Sequence, residues 1–276
     1  MTHREGGRSR SRTSGVAVLA PILFCIQAGA ASGQPAGTGA RWSLDAGLLH
    51  TLQADALASP LRYGGLGPGA AFGYERVGAA SRTAVSLVYA RPRLSSSITR
   101  GAAFEESAHR LRLAVPHHRL LHASGPLTVL MGTQLSADVY YRRHDYANYP
   151  EHYLDAFVLL EAAAGVEYRA GAKLRIDQRI AIPAAGIVWR SPYTGMKYAP
   201  SARLALPDRL QGLTHRLTVS RTLSPTVAVR LTHEVVLLRH SEPWRLAVIT
   251  QGVRLGVVWL RGGRVASNPG VEEAPR

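Results

Sequence analysis

Apolar and polar residues alternate over unusually long stretches of this chain. The clearest stretch is GPLTVLMGTQLSADVYYRRHDY, at residues 125–146. Apolar side chains hold nearly every second position there: Leu127, Val129, Met131, Leu135, Ala137, Val139 and Tyr141. The positions between them include Gln134, Asp138 and Arg142. Successive side chains of a β-strand point to opposite faces, so this pattern predicts one long strand with an apolar face and a charged face.

The same period recurs along most of the chain and predicts ten strands. They lie near residues 42–48, 70–75, 85–89, 110–115, 127–141, 154–168, 173–182, 216–220, 227–237 and 246–259. In the last strand the apolar positions change parity between Val248 and Val253. One extra residue in a strand reverses the faces of all later side chains, which predicts a β-bulge near Gln251 and Gly252.

The connections between these strands alternate in length. Short ones lie near 76–81, 122–126, 169–172 and 223–225. The others lie near 53–63, 94–106, 143–153 and 190–213 and are longer, with a short fifth near 240–243. An even number of strands joined in this way places both chain ends and all the short turns on one side of the sheet.

Strand length separates a membrane environment from a watery one. Strands of soluble sandwiches run about five or six residues, whereas transmembrane barrels need about ten. Several of the predicted strands reach that length, and outside the N-terminus no apolar run approaches the roughly 20 residues of a membrane helix. Aromatic residues stand near strand ends, where girdles of a transmembrane barrel meet the membrane interface: Trp42, Tyr74, Tyr89, Tyr141, Tyr168 and Trp259. A soluble barrel is the alternative.

On this layout the chain resembles bacterial outer-membrane β-barrel proteins over residues 42–260. The resemblance implies an all-β fold: a single antiparallel up-and-down transmembrane barrel of about ten strands, with short periplasmic turns and longer extracellular loops. The last strand, VRLGVVWL, is similar to the aromatic-ending strand that the barrel assembly machinery binds. Here RGGRVASNPGVEEAPR follows it, whereas many such proteins end at the aromatic residue.

The two ends of the chain have different compositions from the middle. MTHREGGRSRSRTSG is basic, VAVLAPILFCIQAGA is apolar, and Ala28-Gly29-Ala30 offers a cleavage site, the layout of a secretory signal. We therefore predict a cleaved signal peptide at 1–30, a periplasmic segment at 31–41, the barrel at 42–260 and a disordered tail at 261–276. A membrane anchor, or lipidation of the single cysteine, Cys25, is the alternative for the N-terminus. The predicted location is the outer membrane of a Gram-negative envelope.

Basic residues outnumber acidic ones, 33 to 18, giving a formal net charge of +15. The arginines are spread singly along alternating segments, so we expect no nucleic-acid partner. Many fall near predicted loop ends, facing the outer leaflet, where guanidinium groups would bind lipopolysaccharide phosphates. These rim residues are Arg62, Arg91, Arg93, Arg100, Arg142, Arg143, Lys197, Arg203, Arg209 and Arg239. The predicted partners are membrane lipid, lipopolysaccharide and the barrel assembly machinery.

The polar face of the predicted strands carries many charges of both signs. A ten-stranded barrel has a bore slightly wider than one filled by side chains, and paired charges can occupy it. The predicted lumen charge network is Asp45, Glu75, Arg110, Arg112, Asp138, Glu161, Glu167, Lys173, Arg175, Asp177, Arg179, Arg216, Arg230, Glu234 and Arg245. Asp155 and Arg254 also fall on this face. A narrow, porin-like solute path is the alternative to a filled lumen.

Catalytic patterns are incomplete in this sequence. Omptin proteases, which are ten-stranded, carry acidic pairs and an Asp-His pair at the outward rim. Here His144 and Asp145 are the catalytic candidates, and no matching acidic pair accompanies them. Other rim histidines are His50, His109, His152 and His240. The His-x-Ser spacing of lipid A deacylases occurs only at His122–Ser124, in a short turn. No tight metal-ligand spacing is present, so neither a metal site nor a cofactor is expected.

The sequence thus predicts an integral outer-membrane β-barrel with a narrow or plugged charged lumen and a structural or surface-binding role in the envelope. Two alternatives stay open. One is a small solute pore, and the other is an outer-membrane hydrolase, a protease or a lipid-modifying enzyme, with its active site at the rim.

Overall fold

The computed structural model describes residues 39–55, 62–96, 105–146, 149–191, 201–241 and 245–261. All of them belong to one of the chain's two compact units, Gly33–Arg276. The predicted signal peptide at 1–30, with Cys25, and the tail beyond residue 261 lie outside the described residues. No helix within the described ranges is long and apolar enough to cross a membrane.

The described residues form twelve strands in one antiparallel sheet. They are β1 (Gly39–Asp55), β2 (Arg62–Val77), β3 (Ser81–Ala90), β4 (Arg93–Ser96), β5 (Glu105–Ser124), β6 (Leu127–Tyr146), β7 (Tyr149–Ala170), β8 (Leu174–Arg190), β9 (Ser201–Ala205), β10 (Leu210–Ser224), β11 (Val227–His240) and β12 (Leu246–Arg261). Because β1 pairs with both β2 and β12, the sheet closes into a barrel without a free edge.

Ten of the twelve strands go around the barrel, as the sequence predicts. The short strand β4 pairs with β2 and β5 beyond the end of β3, and it extends β3 past Pro92. The pairing continues through this proline, since Ala108 N donates to Pro92 O at 3.2 Å. The other short strand, β9, pairs with β8 just before β10 begins. The predicted fold class, an up-and-down barrel of ten strands, is confirmed.

Short turns and longer connections lie on opposite ends of the barrel. Four tight turns join β2 to β3, β5 to β6, β7 to β8, and β10 to β11. Two of these turns contain a glycine with a left-handed φ, Gly125 (52°) and Gly171 (65°), a conformation that glycine adopts without strain. Ala40 pairs with Arg261, so both barrel ends lie on this short-turn side. The opposite end is called the loop side below.

Exposure alternates along the strands in the sense opposite to that of a soluble protein. Large apolar side chains such as Leu135 (52 % exposed) and Leu255 (66 %) face outward, whereas Asp45, Ser136 and Arg254 are 1–2 % exposed. Water would penalise so much exposed apolar surface, but hydrocarbon favours it, and a closed barrel leaves no backbone group unpaired there. The class-level resemblance to bacterial outer-membrane β-barrels is therefore confirmed.

The predicted bulge in the last strand is wrong. β12 pairs with β1 and with β11 without a register shift along its whole length. Leu246 and Val248 instead point inward and are 2 % exposed, while Ile249, which follows Val248, faces out. The apolar parity changes because the lumen lining itself changes, from charged near the short turns to apolar near the loops.

Candidate functional site: the barrel lumen

An apolar plug occupies the loop-side part of the lumen. Inward side chains from six long strands and from β9 form one buried cluster. Its members are Tyr140, Phe157, Leu159, Val188, Ala205, Leu210, Leu238, Leu246 and Val248. The Phe157 ring is fully buried and meets the Tyr140 ring edge-on, with centroids 6.1 Å apart. A lumen filled in this way has a hydrophobic interior of the kind found in a soluble core.

An ionic cluster lies beside the plug, at the next inward positions toward the loops. Asp55 Oδ2 accepts from Arg142 Nη2 at 2.9 Å and from Arg190 Nη2 at 2.7 Å. Asp155 accepts from both arginines as well. The Arg142 guanidinium also lies over the Tyr153 ring, 5.7 Å from its centroid. These four charged side chains hold β1, β6, β7 and β8 together across the mouth of the barrel.

This cluster corrects the prediction for Arg142. The sequence placed Arg142 on the rim, facing lipopolysaccharide, but the side chain points into the lumen and is 1 % exposed. The reason is parity. Asp138, Tyr140 and Arg142 are successive inward positions of β6, which continues to Tyr146, five residues beyond the end we predicted at Tyr141.

A middle layer of polar contacts follows on the short-turn side of the plug. Arg110 forms a bidentate pair with Asp138, with Nε–Oδ1 at 2.9 Å and Nη2–Oδ2 at 2.5 Å, and lies over the Tyr140 ring. Glu161 accepts from Gln134 Nε2 at 2.6 Å and from Ser136 Oγ at 2.8 Å. Such charge-assisted contacts offset part of the desolvation cost of the buried groups.

Arg112 extends this layer across the bore. Its Nη2 donates to Thr214 Oγ1 at 2.8 Å and lies 3.9 Å from Glu161 Oε2. Its Nη1 lies 4.0 Å from Glu234 Oε1. β5 therefore reaches β7, β10 and β11 through one side chain, which makes this layer a contact across the lumen and not only between neighbouring strands.

The layer nearest the short turns is rich in arginine. Asp45 binds Arg230, and this pair depends on Gly256, where a Cβ would lie 1.8 Å from Asp45 Oδ1. Glu75 binds Arg179 at 2.7 Å and Arg41 at 3.3 Å.

The remaining pairs of this layer are local or join neighbouring strands, except the pair of Arg82 and Glu167, which connects β3 to β7 across the lumen. Arg179 Nε donates to Asp177 Oδ1 at 2.8 Å. Glu167 contacts three guanidinium groups, those of Arg82, Arg169 and Arg175. Each carboxylate in this layer thus has at least two basic neighbours or one bidentate partner.

Two members of the predicted network do not belong to it. Lys173 lies in the turn before β8, and Arg245 lies just before β12; both are exposed. The structure brings the other thirteen inward. Six further charged residues lie in the lumen without having been predicted there: Arg41, Asp55, Arg82, Glu106, Arg169 and Arg190. Counting parity onward from Asp45 along β1 would have reached Asp55, because the strand ends seven residues later than predicted.

A cavity of about 180 Å³ remains in the short-turn half of the lumen. Inward residues of β1, β2, β3, β8, β10, β11 and β12 line it. Its charged lining consists of Arg41, Asp45, Glu75, Arg175, Asp177, Arg179, Arg216, Arg230 and Arg254. The apolar plug lies between this cavity and the loop side, so the cavity belongs to the half of the lumen that carries the arginine-rich layer.

The outward face has two interfacial bands. Near the short turns, Trp42 packs against Tyr74 with centroids 4.4 Å apart, and Trp259 is its cross-strand partner. Tyr168 is exposed on the same side. On the loop side, Tyr89 and Tyr141 are exposed and alternate with histidines: Tyr89 bonds His109 at 2.8 Å, and Tyr141 bonds His152 at 2.6 Å. Their role at the membrane interface stays a prediction.

Two polar pairs lie on the outward face of four strands, β8, β10, β11 and β12. Gln251 Nε2 lies 3.1 Å from His233 Nε2, and Gln178 Nε2 lies 3.2 Å from His215 Nε2. Exposed leucines and valines surround these groups. Polar groups facing hydrocarbon are costly unless they bond one another, and the two pairs meet part of that requirement.

Most of the arginines predicted for the basic rim are exposed. Arg62, Arg91, Arg93 and Arg239 are exposed at the loop-side ends of β2, β3, β4 and β11. Arg143, Arg203 and Arg209 are exposed as well. Arg100 and Lys197 lie outside the described residues.

The structure does not assemble a catalytic group from the predicted histidines. His50, His109 and His152 face outward, whereas His240 faces the lumen and is 3 % exposed. The backbones of His144 and Asp145 belong to β6, and their side chains lie outside the described ones. His122 is exposed near the turn after β5. Among the described residues, no group of three or more His, Cys, Asp or Glu side chains is placed to hold a metal ion.

No protein-family model and no curated protein matches the chain. Among solved structures it is similar to the outer membrane protease OmpT from Escherichia coli, with 10 % identity and a TM-score of 0.49, over 83 % of this chain and 98 % of that one. It is also similar to the translocator domain of the autotransporter NalP from Neisseria meningitidis (12 %, TM-score 0.42, 81 % and 89 %). A third is the outer membrane protein OprG from Pseudomonas aeruginosa (8 %, TM-score 0.33, 83 % and 97 %). Similarities of this degree assign no activity, ligand or partner to the chain.

Proposed function

We propose that this protein is a non-conducting outer-membrane barrel that binds lipopolysaccharide phosphates through its loop-side basic rim. The observation that carries the non-conducting part is the apolar plug. Phe157, Leu238 and Leu246 come from three different strands and are buried in the same cluster, with the ionic cluster of Arg142 and Asp55 beside it. An ion crossing the lumen would have to displace both layers.

The rim supports the binding part of the proposal. Four exposed arginines, Arg62, Arg91, Arg93 and Arg239, project outward on the loop side, where a Gram-negative outer leaflet presents phosphorylated lipid. A guanidinium group binds phosphate with paired N–H donors and stays charged at any physiological pH. The role is then structural: a rigid body held in the outer leaflet by its apolar belt and by its rim.

Planar bilayers test the first part of the proposal. The full-length folded protein is expected to give no channel events over a range of voltages and salt concentrations. Reproducible unitary conductance would overturn the plug and would establish the small solute pore in its place.

Lipid binding tests the second part. Replacing the four rim arginines by glutamine should weaken binding to lipopolysaccharide, and the loss should disappear when the lipid is dephosphorylated. The matched control replaces Arg76, Arg119, Arg221 and Arg261, which are exposed on the short-turn side. Equal weakening by both sets would show a nonspecific charge effect and would contradict the proposal.

A hydrolase is the remaining alternative, and the pair His144–Asp145 is its candidate. Assays of lipid A deacylation and of peptide cleavage on the purified barrel should show no turnover. Turnover that disappears in His144→Ala and Asp145→Asn, with heat-modifiable migration intact, would establish an enzyme at the rim instead.

A further inference from the structure

We infer that the short-turn half of the lumen binds a small oxyanion. The first observation is an excess of positive charge around a partly enclosed cavity. Six arginines and three carboxylates line the cavity of about 180 Å³, which leaves a formal charge of +3. The wider layer contains eight arginines (Arg41, Arg82, Arg169, Arg175, Arg179, Arg216, Arg230 and Arg254) and five carboxylates (Asp45, Glu75, Glu167, Asp177 and Glu234), again +3.

The second observation is a buried guanidinium with spare donors. Arg254 is 2 % exposed and lines the cavity. Its Nη2 donates to Glu234 Oε2 at 2.8 Å, whereas its Nε and Nη1 have no hydrogen-bond partner among the described residues. Leaving buried donors of a charged group unsatisfied is expensive, and folded proteins rarely do so without a ligand or water to meet them.

A hydroxyl without a partner lies directly opposite. Thr232 pairs with Arg254 across β11 and β12, and both residues line the cavity. The Thr232 hydroxyl is buried and, within the described part of the chain, has no partner either. Arg230 is the preceding inward residue of β11, and its side chain is 23 % exposed. Arg216 shares Glu234 with Arg254, and its side chain is 21 % exposed. The unpartnered donors of Arg254 and Thr232 therefore lie on the same wall as two further guanidinium groups, those of Arg230, which binds Asp45, and Arg216, which binds Glu234.

These donors determine the class of ligand. A cation is repelled by the excess charge, and a neutral polar molecule would not offset it. An oxyanion offers acceptors to guanidinium forks and to the hydroxyl at once. The volume suits a phosphate- or carboxylate-sized group with a little water, and the plug restricts entry to the short-turn side. This site is independent of lipopolysaccharide binding at the rim, because the two lie on opposite sides of the plug.

Inorganic phosphate is the probe for the experiment. Titration of the full-length folded barrel in detergent micelles, followed by calorimetry, should show saturable 1:1 binding that persists when chloride holds the ionic strength constant. Arg254→Gln should weaken this binding about tenfold or more, the factor that corresponds to one lost charge-assisted hydrogen bond. Acetate is then added as a competitor. A site for carboxylates is indicated if acetate displaces phosphate, and a site for phosphate is indicated if phosphate displaces acetate.

Arg82→Gln is the matched control. Arg82 is inward and buried and pairs with Glu167, and it does not line the cavity, so the variant removes the same charge elsewhere in the layer. It should weaken phosphate binding much less than Arg254→Gln does, because it removes no donor from the cavity lining. Thr232→Val, which keeps the shape and the charge, should weaken binding on its own and covers the case in which Arg254→Gln fails to fold. Absence of saturable binding, or equal weakening by Arg82→Gln, would overturn the inference.

Discussion

Truncating one plug leucine should cost much more stability than truncating its neighbour on the same strand. Leu238 and Leu237 are adjacent in β11, have the same side chain and point to opposite faces. Leu238 is 4 % exposed inside the plug, whereas Leu237 is 36 % exposed toward the outside. Changing each to alanine therefore removes the same atoms from two different surroundings.

The expected magnitudes follow from that difference. Both variants lose the transfer free energy of the deleted groups, about 2 kcal/mol at roughly 0.8 kcal/mol per CH₂. Only Leu238→Ala also leaves a cavity, because Val248, its cross-strand partner, is fixed in a closed barrel. Buried leucine truncations of this kind cost about 2.7–5.0 kcal/mol in total. Lipid chains fill the space beside Leu237, so Leu237→Ala should stay near 2 kcal/mol.

The assay is reversible urea unfolding in lipid vesicles, followed by the fluorescence of the chain's four tryptophans. Leu238→Ala should lower the free energy of unfolding by about 1–3 kcal/mol more than Leu237→Ala does, the size of the cavity contribution. Equal losses would mean that the plug is hydrated and not packed, and would refute the reasoning. Leu238→Ala should also stay non-conducting, since the rest of the plug and the ionic cluster remain.

Three further outcomes are expected. Arg142→Gln should destabilise the barrel by about 3–5 kcal/mol, because it removes a guanidinium partner from buried carboxylates. Arg143→Gln on the outward face should change the stability by no more than about 0.5 kcal/mol. Urea unfolding of both variants measures the difference. Gln251→Leu alone should lower the stability by about 1–3 kcal/mol, because it leaves the His233 ring unpaired. The double variant Gln251→Leu with His233→Leu should be neutral or stabilising. A larger loss of stability in the double variant than in the single one would contradict this. The unmodified protein should show heat-modifiable gel migration. A chain that stays soluble without detergent would refute the membrane assignment.

The strand pattern could be predicted well from the sequence because it depends on local geometry. The pleat alternates side chains within a few residues, so Leu135, Asp138 and Leu255 show their faces from their neighbours alone. The predictions for Lys173 and Arg245 were wrong because alternation does not mark the end of a strand sharply. The strand end decides whether a residue belongs to the lumen or to a turn. The prediction for Arg142 was wrong for the opposite reason, because β6 continues past the predicted strand end.

What composition and periodicity determined by themselves is the class of environment: a closed sheet with an apolar outside and a charged inside. What only the tertiary structure decided is which inward residues meet. Arg230 binds Asp45 across 185 residues of sequence, and Arg179 binds Glu75 across 104. Those partners depend on the tilt of the strands and on the closure between β1 and β12, which are properties of the whole barrel. The apolar plug and the surplus of arginines arise in the same way, because each needs side chains from many strands at one height in the bore.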